Sequence, residues 1–238
     1  MIMTLFKPDT IRKELRPHQI KAIEAIRLSL GKGNKRVVCA MPTGSGKTLT
    51  AARMIEGALS KGNEVLFTVP YVQLVDQTVE AFEDEGIDSI GVIQASHPRT
   101  NPLAKVQIAT VQSLANRDIP PASLIIVDEC HIQSKVVYKL MQDRPDLVFI
   151  GLSATPFSQG MGRHWQDLVV GSTIEELISA GYLCPFRVYA AAHPDLTGVR
   201  VRAGEYVESD LEQAMSEKKL VGDVVSTWLA NGENRLRS

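Results

Sequence analysis

Arg36-Val37-Val38-Cys39-Ala40-Met41-Pro42-Thr43-Gly44-Ser45-Gly46-Lys47-Thr48 is the stretch from which the architecture can be read. Its first five residues form a short apolar run with β-branched side chains, the pattern of a buried strand. Lys47 to Ser60 follows, with Leu49, Ala52, Met54, Ile55 and Leu59 at helical spacing. A glycine-rich turn therefore joins a strand to a helix N-terminus, which is the context a phosphate-binding loop requires. Gly44 and Gly46 let the backbone curl until successive N–H groups converge on an anion, and the helix dipole adds to the attraction. In this reading Thr43, Gly44, Ser45 and Gly46 wrap the phosphates, Lys47 reaches the β- and γ-phosphates, and the Thr48 hydroxyl binds Mg²⁺. One position departs from the strict pattern: Met41 stands where a glycine is usual. A glycine-rich turn without a ligand is the plainer alternative, and the Gly-x-Gly-Lys-Thr order in this context outweighs it.

A second apolar run, Ser123-Leu124-Ile125-Ile126-Val127, leads straight into Asp128-Glu129-Cys130-His131. Carboxylates at the C-terminal end of a parallel strand lie where α/β sheets bind ligands. Asp128 is suited to hold Mg²⁺ through water, and Glu129 to orient or deprotonate an attacking water. A solvated acidic pair at a strand end is the alternative, and it loses weight with a phosphate-binding loop upstream.

Further segments stand in a fixed order around these two. They are Leu15-Arg16-Pro17-His18-Gln19, Val69-Pro70 with Gln73-Leu74-Val75-Asp76-Gln77, Ala109-Thr110-Val111-Gln112-Ser113-Leu114, and Ser153-Ala154-Thr155-Pro156-Phe157. With them the chain resembles the first RecA-like domain of a superfamily 2 helicase. The group is DEAD/DEAH-like with a DExH box, near the type III restriction and bacterial or phage repair helicases. The resemblance implies an ATP site in which Gln19 hydrogen-bonds the purine edge and Arg16 stacks its guanidinium on the ring. It implies catalytic roles for Lys47, Asp128 and Glu129, and a coupling role for His131, Ser153 and Thr155 between hydrolysis and grip on nucleic acid. It places Pro70, Gln73, Thr110 and Ser113 on the strand. Taken singly, each has a plainer reading: Gln19 as an exposed helix residue, Thr110 and Ser113 as caps of a short helix, Ser153 and Thr155 as turn residues before Pro156, His131 as a satisfied polar group. Their order along the chain lifts them above it.

Alternating strand and helix patterns run through most of the chain and imply a mostly parallel central sheet with helices on both faces. Helices are expected over Pro17–Leu30, Tyr71–Glu85 and Ser134–Gln142, and strands over Glu64–Val69, Ile90–Gln94, Val106–Thr110 and Leu147–Leu152. Right-handed crossovers then bring the phosphate loop and Asp128 to one edge. Ser158 to Gly162 reads as a glycine-rich loop. Beside it, Arg163 and Trp165 offer either a nucleic-acid contact or a surface loop anchored by its tryptophan, and the anchor is favoured. Ser172-Thr173-Ile174-Glu175 reads as a capping box opening a helix through Ser179, and Phe186 to Ala191 as another strand. Lys218 to Leu229 is amphipathic, with Val221, Val224, Val225 and Trp228 at helical spacing.

The 238 residues, 44% of them hydrophobic, suffice for one large α/β domain. The expected division is a RecA-like ATP-binding domain over 1–190 and an extension over 191–238 that leads toward a second RecA-like domain. That second domain would supply an arginine finger and is expected to lie beyond this sequence. Cys39, Cys130 and Cys184 are widely spaced, which argues against a disulfide framework or a zinc site. No run reaches transmembrane length and no signal-peptide pattern opens the chain, so a cytoplasmic location is the expectation. A net charge of −1 gives no global basic footprint, so any grip on nucleic acid (DNA ahead of RNA) is local. Two other classes remain open from sequence: a nucleotide-binding regulatory or scaffold fragment without motor activity, and a P-loop enzyme acting on a small molecule. The DExH and Ser-Ala-Thr segments weigh against the latter.

Overall fold

The computed structural model describes residues 13–94, 96–115, 117–187, 195–202, 205–215 and 218–232. Two compact units divide the chain between Cys184 and Pro185. The first contains α1 (Pro17–Gly31), β1 (Arg36–Ala40), α2 (Lys47–Leu59), β2 (Val65–Val69), α3 (Leu74–Asp84), β3 (Ile90–Ile93), β4 (Val106–Thr110) and α4 (Val111–Leu114). It continues with β5 (Leu124–Val127), α5 (Lys135–Asp143), β6 (Val148–Ser153), β7 (Asp167–Val170) and α6 (Ile174–Ser179). The seven strands form one sheet in the order β3-β4-β2-β5-β6-β1-β7, and every pairing in it is parallel. In the second unit, β8 (Val201–Arg202) and β9 (Glu205–Tyr206) pair antiparallel, followed by α7 (Glu208–Met215) and α8 (Lys218–Asn231).

Strand side chains alternate between two buried layers, which is why these strands read as continuous apolar runs. Val37, Cys39, Phe67, Ile126, Ile150 and Leu152 pack with Ile26 of α1, Ile55 of α2 and Phe82 of α3. Val38, Leu66, Ile125, Val127 and Phe149 point the other way, onto Leu114 of α4, Val137 and Met141 of α5, and Trp165. Cys39 is fully buried in the first layer and its thiol is pushed up to about 12 by burial, the behaviour of a core side chain.

The structure corrects three expectations and adds one strand. The helix expected from Tyr71 starts at Leu74, because Leu74 and Val75 donate to the carbonyls of Tyr71 and Val72 in a tight turn first. The capping box lies one residue later than expected: the Thr173 hydroxyl accepts from the Glu176 N–H, and the Glu176 carboxylate accepts from the Thr173 N–H. Asp167–Val170, for which the sequence pattern predicts no element, is an edge strand beside β1. It is pinned by Gln166 Oε1, which accepts the N–H groups of Lys35 and Arg36 at 2.7 and 3.0 Å. Of the strand expected over 186–191, residues 186 and 187 have no regular structure and the remainder lies outside the described residues. Trp165 is the anchor that was favoured, 7% exposed against Cys130 and Gly151.

Candidate nucleotide site

Three neighbouring strands, β5, β6 and β1, end at the same edge of the sheet. Ala40 is in register with Ser153, and Val127 with Gly151. From that edge emerge the 41–48 loop, Asp128-Glu129 and Ser153-Thr155. Met41 replaces the usual glycine without disturbing the loop, since its side chain is fully buried and its N–H donates to Ser153 O at 2.9 Å. Gly44 (φ +79°) and Gly46 (φ +83°) adopt the left-handed conformation the turn requires. Ser45 is buried and its hydroxyl donates to Pro42 O at 2.6 Å. Thr43 and Thr48 stand exposed at the loop and the first turn of α2. Lys47 Nζ lies 3.4 Å from Met41 O and 4.0 Å from Glu129 Oε1.

Gln19 is 1% exposed and serves the loop directly. Its Nε2 donates to Ser45 O (3.1 Å) and Gly46 O (3.2 Å), and its Oε1 accepts the Arg16 N–H at 2.8 Å. A Cβ on Gly46 would lie 2.3 Å from that Nε2, so glycine there is demanded by the glutamine as well as by φ. His18 adds a bond the sequence reading missed: its Nε2–H donates to Ser45 O at 2.8 Å. The Arg16 guanidinium, expected on a purine, lies over a protein ring, with its Cζ 4.6 Å from the centre of Tyr182. Arg16, Gln19, Gly44, Gly46, Thr48 and Asp84 border a cavity of about 460 Å³ beside the loop, large enough for a nucleoside.

Glu129 is the one non-glycine residue with positive φ (+46°) among the described residues. Such strain collects at functional sites and is held by its surroundings. Here it turns the carboxylate between Lys47 and His131, whose Nδ1 is 3.3 Å from Glu129 Oε2. The same Nδ1 lies 2.9 Å from Ser153 Oγ, which also accepts the Thr155 N–H at 3.0 Å. Glu129, His131, Ser153 and Thr155 thus form one continuous polar chain. The Asp128 carboxyl is raised to about 6, first by burial and then by the Glu129 charge, against the pull of its bond to the Glu129 N–H and the charges of Lys47 and His131. A divalent cation would relieve that excess of buried negative charge, so the residues fit Mg²⁺ held by Thr48 and Asp128. Among the described residues no three acidic, histidine or cysteine side chains converge on one point.

The residues expected on nucleic acid are spread along the same edge. Gln73 is exposed before α3, and Pro70 is buried behind it. Thr110 is 1% exposed and caps α4, accepting the Ser113 N–H at 3.1 Å, with the two hydroxyls 3.0 Å apart. For this pair the structure therefore shows a helix cap, and only Ser113 is partly open.

A parallel sheet bearing a phosphate loop, a DExH strand end and a Ser-Ala-Thr strand end defines the first RecA-like domain of a superfamily 2 helicase, a helicase motor domain. The chain belongs to the family described as "Type III restriction enzyme, res subunit", whose model matches residues 12–158. It is 29% identical over 203 residues to a 51.5 kDa protein of a Lactococcus phage, spanning 82% of this chain and 42% of that one. It is 31% identical over 179 residues to the EcoKI type I restriction endonuclease subunit of Escherichia coli, covering 60% of this chain and 15% of the relative. Among solved structures it superposes on the UvsW helicase of bacteriophage T4 with a TM-score of 0.57 at 19% identity, covering 67% of this chain and 61% of that one. It superposes on the Hef helicase domain of Pyrococcus furiosus with a TM-score of 0.55 at 20% identity, covering 94% and 58%. The chain spans less than half the length of these curated relatives. No helix among the described residues is long and apolar enough to cross a membrane.

Proposed function

We propose that this chain is the ATP-binding half of an ATP-dependent nucleic-acid helicase or translocase, acting on DNA ahead of RNA. The observation that carries this is the convergence of the Gly44–Thr48 loop, the Asp128-Glu129 pair and the Ser153-Thr155 turn on one sheet edge. ATP binds with its phosphates in the loop and its base in the cavity bordered by Arg16 and Gln19. For Gln19 to read the purine edge, its amide must exchange one of its bonds to the loop. Mg²⁺ supplies charge neutralisation for the phosphates when bound, and Thr48 and Asp128 hold it. Lys47 binds the β- and γ-phosphates. Glu129 aligns a water and takes its proton; its orientation by Lys47 and His131 supports that role. The path Glu129–His131–Ser153–Thr155 passes the state of the γ-phosphate to the strand-facing edge, where Gln73 and, in part, Ser113 are open to nucleic acid, Thr110 caps the turn that carries Ser113, and Pro70 follows β2 from below the surface. The DNA-bound type ISP enzyme LlaGI, with a TM-score of 0.56 over 71% of this chain, supports DNA as the track. A second RecA-like domain or partner supplies the arginine finger.

The test is steady-state ATP hydrolysis with and without single-stranded DNA, duplex DNA and RNA. Glu129→Gln should lower the rate at least a hundredfold with ATP affinity retained, while Lys47→Ala should lose ATP binding. Tight ATP binding with no response to any nucleic acid, even when a second RecA-like domain is attached, would favour a regulatory or scaffold role.

A further inference from the structure

We propose that Tyr182 positions the nucleotide base from behind Arg16, as the outer layer of a tyrosine–guanidinium–purine stack. The proposal rests on the ATP reading above and adds a residue that neither the phosphate loop nor the Gln19 segment contains. A guanidinium is flat, weakly hydrated and able to stack on both faces. The Arg16 guanidinium lies over the Tyr182 ring, 4.6 Å from Cζ to ring centre. Arg16 also borders the cavity shared with Gln19, Gly44, Gly46 and Thr48, whereas Tyr182 does not. The tyrosine lines a different hollow, with Pro17, His18 and Leu177. Arg16 therefore links the tyrosine to the space beside the loop, and in the proposed stack its face away from the ring takes the base.

Tyr182 is itself firmly held. Its N–H donates to Leu177 O at 2.8 Å, and that of Leu183 to the same carbonyl at 3.1 Å, tying both to α6. Its ring lies 5.2 Å from the His18 ring, tilted by 56°. Leu183 packs on the loop, where a Cβ on Gly44 would come within 2.9 Å of Leu183 Cδ2. A long arginine side chain left free in solvent loses rotamer freedom when it stacks on a ligand; one already laid against a fixed ring loses less. Gln19 has its amide engaged by the loop and by Arg16, so stacking carries a large share of the grip on the base.

The test compares binding of Mg²⁺-ATP and of Mg²⁺-tripolyphosphate, which has no base, to the whole chain by calorimetry. Tyr182→Ala should weaken ATP binding roughly tenfold and leave tripolyphosphate unchanged, while Tyr182→Phe should bind both as the parent does. Arg16→Ala should show the same base-dependent loss, and the double variant no more than either alone. Unchanged ATP affinity in Tyr182→Ala would overturn the stack. So would equal weakening of both ligands, which would mean that Tyr182 acts on the phosphate loop through Leu183 or His18. If the parent chain binds neither ligand, the ATP reading itself fails and the stack falls with it.

Discussion

Asp128 and Gly46 show at the scale of single residues how function sets stability aside. The Asp128 carboxyl, raised from 3.8 to about 6, holds its proton more tightly in the folded chain than in the unfolded one. Its contribution is therefore most favourable below about pH 3.8 and is lost as the pH rises through 6, a change of about 3 kcal/mol. Asp128→Asn should then be more stable than the parent at pH 7, by up to that amount. The difference should shrink toward pH 4 in urea titrations without magnesium, and a difference that ignores pH would refute the assignment. Gly46 poses the opposite case. Alanine there faces a left-handed φ of +83° and a contact of 2.3 Å with Gln19 Nε2. Gly46→Ala should destabilise by about 1–3 kcal/mol and abolish ATP binding, while Gly62→Ala, with similar φ but open space, should cost less and leave binding intact. The glycines and Lys47 are legible in sequence because phosphate binding needs those residue types at that spacing. The bond from His18 to Ser45 is not, since histidine before glutamine carries no local signal of where its ring will reach.

Between elements, α2 and α3 are joined by an ion pair that sequence periodicity hides. Glu85 is 4% exposed at the end of α3, and Arg53 of α2 donates to it at 2.9 Å. Lys13 Nζ approaches the same carboxylate at 3.5 Å, and the Lys13 carbonyl accepts from Arg53 at 2.8 Å. Arg53→Ala would leave that buried carboxylate with the exposed Lys13 as its remaining charged partner among the described residues. Loss of a buried partner costs about 3–5 kcal/mol, and the lysine should reduce this to roughly 2–3. Arg53→Ala with Glu85→Leu should recover much of it; a thermal-melting series that finds the double variant no better than the single would show that the pair is not coupled. The long strand–helix alternation was readable because buried parallel strands are unbroken apolar runs. The edge strand β7 was not, because Asp167–Val170 alternates burial on its short length and owes its place to Gln166 holding Lys35 and Arg36.

At the scale of the whole molecule, the relevant facts are a net charge of −1 and a length under half that of the relatives. Nucleic-acid affinity of this chain alone should be weak and should fall steeply between 50 and 200 mM salt, about the range in which phosphate contacts are screened. Its own ATP hydrolysis should be slow. Fusion to a second RecA-like domain carrying an arginine aimed at the γ-phosphate should raise the rate by about a thousandfold or more. A fused protein no faster than this chain would count against an arginine supplied by that domain.

The sequence by itself determined the α/β alternation, the phosphate loop, the acidic strand end and their order, because these depend on local period and on residue chemistry at short spacing. Tertiary structure decided which distant groups meet. It laid Arg16 on Tyr182, committed Gln19 to the loop, turned Glu129 between Lys47 and His131, and buried Thr110 as a helix cap. Each of these joins residues through the crossing of strands and helices or through a local turn, and a linear pattern of side chains holds no record of which backbone group will be left in want of a partner.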